Sequence, residues 1–176
     1  MSKIKVGIAG YGIVGRRRGV CIGKNSNMSL VAVCDRTFDQ STEFKNGLYR
    51  YADYRNLLDH DIDALFVCLT NDLAAEVTIA GLEKGLHVFC EKPPGRSVEE
   101  VEAVRDCLNE RPLQKLKYGF NHRYHESVRD ALEIVQGGEL GSVINLRGLY
   151  GKSAMINFES DWRTQRRISG GGILLD

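Results

Sequence analysis

The sequence predicts an α/β fold: a doubly wound parallel sheet followed by the start of an α+β second domain. Three observations carry this. Strand-like and helix-like patterns alternate through the first two-thirds of the chain, which implies parallel strands joined by helical crossovers, with helices on both faces. A glycine-rich turn, Gly10-Tyr11-Gly12-Ile13-Val14-Gly15, separates the first strand from the first helix. Near Asn121 the alternation stops and a different pattern begins. The boundary therefore divides residues 1–121 from residues 122–176.

Residues 4–9 alternate and then run apolar, as a buried strand does, and residues 16–23 can continue as a helix. Residues 30–34 read as a second strand, 38–46 as a helix and 49–51 as a short third strand. A short helix over 53–58 leads to the strongly apolar fourth strand, 63–69. Asn71 can cap the next helix, which carries Val77, Ile79, Ala80 and Leu82 and stops at Gly85. Residues 86–90 form a fifth strand. Ser97 and Glu100 make a capping-box pair before a helix through Leu108, and 116–120 gives the sixth strand. In the second region a helix over 126–135 places Ala131, Leu132 and Val135 on one face and ends at Gly137-Gly138. Residues 142–150 alternate like a strand of another sheet, whereas 151–169 lack clear periodicity.

With 43% hydrophobic and 27% charged residues and a net charge of +1, the composition is that of a soluble globular protein. Such a balance gives no reason to expect nucleic acid or an anionic membrane as partner. No apolar run is long enough for a membrane helix, and no signal peptide is expected. Cys21, Cys34, Cys68, Cys90 and Cys107 lack C-x-x-C spacing. They read as small buried hydrophobes in a reducing cytosol, so neither zinc nor disulfides are expected.

A strand, a G-x-G-x-x-G turn and a helix, in that order, fit a dinucleotide fingerprint. The first glycine permits the tight turn. The second lets backbone approach a pyrophosphate, and the third lets helix and strand pack closely. The pyrophosphate then meets N–H groups at the helix N-terminus. Asp35 ends the second strand twenty residues beyond Gly15, where an acid accepts hydrogen bonds from the adenosine ribose. Its charge favours NAD over NADP, although Arg36 beside it could pair with a 2′-phosphate or stack on adenine. Arg16-Arg17-Arg18 opens the helix where positive charge opposes the dipole, a cost that bound pyrophosphate offsets; a solvated basic face is the alternative. Strand five ends in Cys90-Glu91-Lys92-Pro93-Pro94. Lys92 stands beyond a strand's carboxyl end, where ligands bind in such sheets, and could relay the proton of a substrate hydroxyl. By itself the segment reads first as a surface lysine in a proline-fixed turn.

Taken together, these blocks resemble the family of glucose–fructose oxidoreductases and inositol dehydrogenases. The resemblance continues through Gly119-Phe120-Asn121-His122-Arg123-Tyr124, Gly138-Glu139-Leu140-Gly141, Asp161-Trp162-Arg163 and Gly170-Gly171-Gly172-Ile173-Leu174-Leu175-Asp176. It implies a Rossmann domain, a second domain with an open, mostly antiparallel sheet, and NAD(P)-dependent oxidation or reduction of a sugar, polyol or nucleotide-linked sugar. It also implies pairing of copies through that second sheet. By resemblance Lys92 contacts the substrate hydroxyl and nicotinamide ribose, Pro93 follows a cis bond, and Asp176 stands beside the reacting carbon. Trp162 and Arg163 lie near the cofactor, where an indole beside a guanidinium could stack and bind phosphate; a hydrophobic anchor is the plainer role for Trp162. Thr70, Asn71 and Glu91 complete the expected cofactor-binding set, together with Tyr11, Ile13 and Val14 of the turn.

Two departures stand out. Leu73-Ala74-Ala75-Glu76 occupies the stretch where the family often has a histidine, and the family's catalytic histidine would fall four positions beyond Asp176. A truncated dinucleotide-binding module without turnover is therefore the alternative to an enzyme. His60 and His87 are expected to be structural. His122 and His125 are spaced like metal ligands but lack the acid of a zinc motif; His122 and Arg123 are expected to face the cofactor or substrate cleft.

Overall fold

The computed structural model of the chain describes residues 2–39, 43–45, 47–149, 161–171 and 175. Its first 119 residues contain seven strands: β1 (Ile4–Ala9), β2 (Met28–Cys34), β3 (Glu43–Lys45), β4 (Leu48–Tyr51), β5 (Ala64–Val67), β6 (His87–Cys90) and β7 (Leu116–Tyr118). They form one sheet in the order β3-β4-β2-β1-β5-β6-β7. All neighbours are parallel except β3 and β4, which pair antiparallel at the edge. Without that edge strand the order is third, second, first, fourth, fifth, sixth, the doubly wound arrangement of the Rossmann fold. The winding reverses between β1 and β5, and the crevice beyond their carboxyl ends is where such sheets bind ligands.

The period-two pattern explains the burial. Val6 and Ile8 of β1, with Val33 and Ala64, pack on one face against Ile22 of α1 (Ile13–Lys24). Ala9, Ala32, Cys34, Leu65 and Val67 face the other way. There they meet Leu57 of α2 (Tyr54–Leu58), Val77 and Leu82 of α3 (Asn71–Glu83), and Val104 of α4 (Val98–Asn109). Both faces are covered, so the carboxyl-terminal halves of β1 and β2 are buried at successive positions rather than at alternate ones.

Four local expectations need correction. The predicted helix over 38–46 is replaced in part by β3, which pairs Glu43 with Arg50 and Lys45 with Leu48. Between the last two stands the sequence Asn46-Gly47, a hairpin signal that outweighs the weak helical pattern, and Gly47 has φ +76°. Thr70, not Asn71, is the N-cap of α3; Asn71 is its first helical residue and is buried. The capping box of α4 is displaced by one residue. Ser97 Oγ accepts from the Glu100 N–H at 3.4 Å, but the Glu100 carboxylate accepts from the N–H of Arg96 at 2.7 Å. Finally, residues 142–149 of the predicted strand 142–150 are in no ladder among the described residues, and Tyr150 lies outside them. An alternating stretch becomes a strand only where another strand takes its hydrogen bonds.

The chain packs as two units, Met1–Gly119 with Trp162–Asp176, and Phe120–Asp161. The second contains a 3-10 turn at Asn121–Tyr124 and helix α5 (Glu126–Gln136). The C-terminal part of the first adds a 3-10 turn at Trp162–Thr164 and the short helix α6 (Arg166–Ser169).

Candidate functional site

The three fingerprint glycines do different work. Gly10 has φ +90°, and a Cβ there would overlap the Cys68 carbonyl that follows β5. Its N–H donates to the Cys34 carbonyl of β2 at 2.9 Å, so the turn is tied to strands on both sides. Gly15 is buried, and a Cβ there would overlap the Gly10 carbonyl. Helix α1 can leave the sheet this closely only without a side chain. Gly12 is different: a Cβ there would meet nothing within 4 Å. Nothing in the protein requires glycine at this exposed position, which leaves room for a ligand to meet bare backbone. Gly12 is also the N-cap of α1, with no side-chain cap and no acid in the first turn. Its donors and dipole therefore point to an anion in the crevice.

A cleft of about 320 Å³ opens over this turn, a size suited to small-molecule binding. Gly12, Ile13 and Val14 line one side, Thr70 and Asn71 follow β5, Glu91 and Lys92 follow β6, and Trp162 and Arg163 complete the wall. Nine residues of the expected set thus converge from four separate stretches of chain. Cys68 and Leu69 also line the cleft. Sequence reading missed them because both lie within the predicted fourth strand; β5 ends at Val67, so they belong to the loop at its carboxyl end.

Gly10, Tyr11 and Gly15 form the turn itself. Tyr11 carries the Arg16 guanidinium 5.9 Å from its ring centroid, and Arg16 Nε donates to the Tyr11 carbonyl at 3.2 Å. At the end of β2, Asp35 Oδ1 accepts from the Thr37 N–H at 3.0 Å and from its hydroxyl at 2.8 Å. This turn sets the carboxylate's orientation, while Arg36 is exposed. Arg18 has a role that the basic run left open. Its Nε lies 2.5 Å from Glu91 Oε1, and its guanidinium covers the Phe89 ring at 5.0 Å. On its other side Glu91 lies close against Gly119, where a Cβ would stand 2.9 Å from Oε2. The residue preceding Lys92 is therefore paired with α1 and fits only beside a glycine after β7. The Lys92–Pro93 peptide is cis.

Trp162 and Arg163 stack, the guanidinium 4.4 Å from the indole centroid. They belong to a strap, residues 162–171, joined to the start of α3 by Asn71 and to the loop before α4 by Arg96. Asp176 lies outside the described residues. Burial pushes the Cys68 and Cys90 thiols up to about 12 and about 11, keeping them neutral at physiological pH. Among the described residues no group of three His, Cys, Asp or Glu side chains could hold a metal. His60 Nδ1 shares a hydrogen bond with the Tyr51 hydroxyl at 2.9 Å, and His87 Nδ1 accepts from the Lys115 N–H at 3.1 Å, so both are structural. In the second unit His122 and His125 stack on each other at 4.9 Å.

The profile of the Gfo/Idh/MocA family, an oxidoreductase family with an NAD-binding Rossmann fold, matches residues 4–120. The chain belongs to this family. Levoglucosan dehydrogenase of Pseudarthrobacter phenanthrenivorans is 29% identical, in a match covering 100% of this chain and 48% of that protein. The crystal structure of myo-inositol 2-dehydrogenase from Lactobacillus plantarum is 30% identical with a TM-score of 0.70, over 81% of this chain and 44% of that one. Scyllo-inositol dehydrogenase from Lactobacillus casei, solved with NAD(H) and scyllo-inositol, is 26% identical with a TM-score of 0.70, over 80% and 43%. The chain spans about half the length of the curated relatives it matches.

Proposed function

We propose that this chain carries the cofactor half of an NAD(P)-dependent oxidoreductase acting at a hydroxyl carbon of a sugar, polyol or nucleotide-linked sugar. The observation that carries the reading is the open Cβ position of Gly12 at the uncapped start of α1, in one cleft with Lys92. Gly12, Ile13 and Val14 would receive the pyrophosphate, and Asp35 the adenosine ribose hydroxyls. Thr70, Glu91, Trp162 and Arg163 would enclose the remainder, with Asn71 buried in the same wall. When bound, the nicotinamide supplies or accepts the hydride. Lys92 holds the substrate hydroxyl and moves its proton at Nζ. Asp176 is assigned to act with it at the reacting carbon on the family resemblance alone.

Membership of the family and the polyol and anhydro-sugar names of its relatives support the substrate class. Residues 1–121 form the cofactor domain in this reading, and 122–176 begin the substrate domain, through which copies pair in the longer protein. No described helix is long and apolar enough to cross a membrane; free, scattered cysteines support a cytoplasmic setting. The oriented Asp35 carboxylate favours NAD, since it would repel a 2′-phosphate. Titration with NADH and NADPH, read by nicotinamide fluorescence, tests this. NADH is expected to bind about tenfold tighter or better, and equal affinities would remove Asp35 from the role. In a version carrying the rest of the second domain, Lys92→Met is expected to reduce kcat by about a hundredfold or more, with NAD affinity unchanged. Near-parental turnover would sink the proton-relay role. Binding without turnover in that longer version favours the second reading, a dinucleotide-binding module.

A further inference from the structure

The strap over residues 162–171 contains only a 3-10 turn and one short helix. Helix α6 is only four residues long, its N-cap Gln165 makes no side-chain capping hydrogen bond, and Ser169 is its one buried residue. So short a helix has no independent stability in water. Two side chains from elsewhere in the same unit hold it. Asn71 is 2% exposed, and its Nδ2 donates to the Ser169 carbonyl at 2.9 Å. Arg96 Nη1 donates to the Arg167 carbonyl at 2.7 Å, while its Nε binds Glu100 Oε1 at 2.8 Å. Gly170, at φ +74°, seats the strap on this loop: a Cβ there would stand 2.9 Å from the Arg96 carbonyl oxygen.

Asn71 thus faces two ways. Its position at the start of α3 puts it in the cleft wall, but its amide reaches back to the strap that presents Trp162 and Arg163. We propose that Asn71 is a positioning residue, which binds the dinucleotide indirectly by fixing the strap, with Arg96 as the second anchor. The affinity part of this rests on the cofactor reading above; the placement of Trp162 does not.

Trp162 is the only tryptophan in the chain, so emission under selective tryptophan excitation reports the strap alone. Asn71→Asp keeps the side-chain shape, loses the donor, and adds a charge that suits the first turn of α3. The folded variant is expected to show red-shifted Trp162 emission and greater quenching by acrylamide. Its NADH Kd is expected to rise roughly threefold to tenfold, as for one lost buried hydrogen bond. In a Trp162→Ala, Arg163→Ala background the same change should leave NADH affinity unaltered, because coupled residues give non-additive effects. Full loss of affinity in that background means direct contact by Asn71 and overturns the proposal. So does parental emission in folded Asn71→Asp. Arg96→Lys, which cannot span both Glu100 and the strap, should shift the emission in the same direction, and it decides the matter if Asn71→Asp does not fold. If the parent chain binds no NADH, the cofactor reading fails, and the emission of the two variants still tests the tether.

Discussion

The glycine turn and the strap are two walls of one cleft, built by opposite means. The turn spans six consecutive residues, and its shape follows from what cannot fit there: side chains at Gly10 and Gly15 would overlap carbonyl oxygens. The strap is held by what it is given from afar, including a hydrogen bond between residues 98 positions apart. Exclusion is a local property and leaves a motif. Tethering depends on partners that only folding brings together, and it leaves none. The first wall is therefore the more readable.

Three measurements would break or sharpen this contrast. The largest effect is expected at Gly15→Ala, where the new methyl must displace the Gly10 carbonyl or lift α1 from the sheet. A stability loss of about 3 kcal/mol or more in urea titration is expected, the range of severe overpacking. A loss below about 0.5 kcal/mol, the level of an unremarkable surface change, would show that the turn is not set by exclusion. Next come the thiols at the carboxyl ends of β2, β5 and β6. The thiols of Cys34, Cys68 and Cys90 are pushed from 9.0 up to about 12, about 12 and about 11, each chiefly by burial. The unfolded chain loses these protons near the ordinary value while the folded chain keeps them. Stability is thus fully present below pH 9 and falls above it, by up to about 1.4 kcal/mol per pH unit per thiol. Denaturation midpoints measured from pH 8 to 11 should fall, and less steeply in Cys68→Ala; a flat profile would contradict the burial. Smallest in stability, within about 0.5 kcal/mol, is Gly12→Ala, whose methyl meets nothing in the protein. Its NADH affinity should nevertheless fall by about tenfold, or about 1.4 kcal/mol. Unchanged affinity would show that Gly12 faces no ligand.

The second unit extends the lesson. Helix α5 follows its apolar periodicity, yet none of its residues is buried among the described neighbours. Periodicity specified that a helix forms and which face is apolar, while burial of that face requires another surface. The stretch 142–149 shows the same limit for strands. In the first unit, by contrast, apolar runs met covering helices on both sides of the sheet, and β1, β2, β5 and β6 stand within two or three residues of where the pattern put them. The exception, β3, was announced by Asn46-Gly47 rather than by its own residues. The same proximity explains the ion pair of Arg18 with Glu91, which joins the first helix to the fifth parallel strand and which no spacing rule would pair.

Residue order alone was enough for the alternation of strands and helices, the three glycines, Asp35 and the lysine after β6, because sterics and periodicity act between neighbours in the chain. Tertiary structure decided which of the candidates share a cleft and that Asn71 serves the strap rather than the cap. It also decided that Cys68 and Leu69 belong to the wall. Those facts depend on contacts between residues distant in sequence, and such contacts exist only once the sheet has wound and reversed direction between β1 and β5.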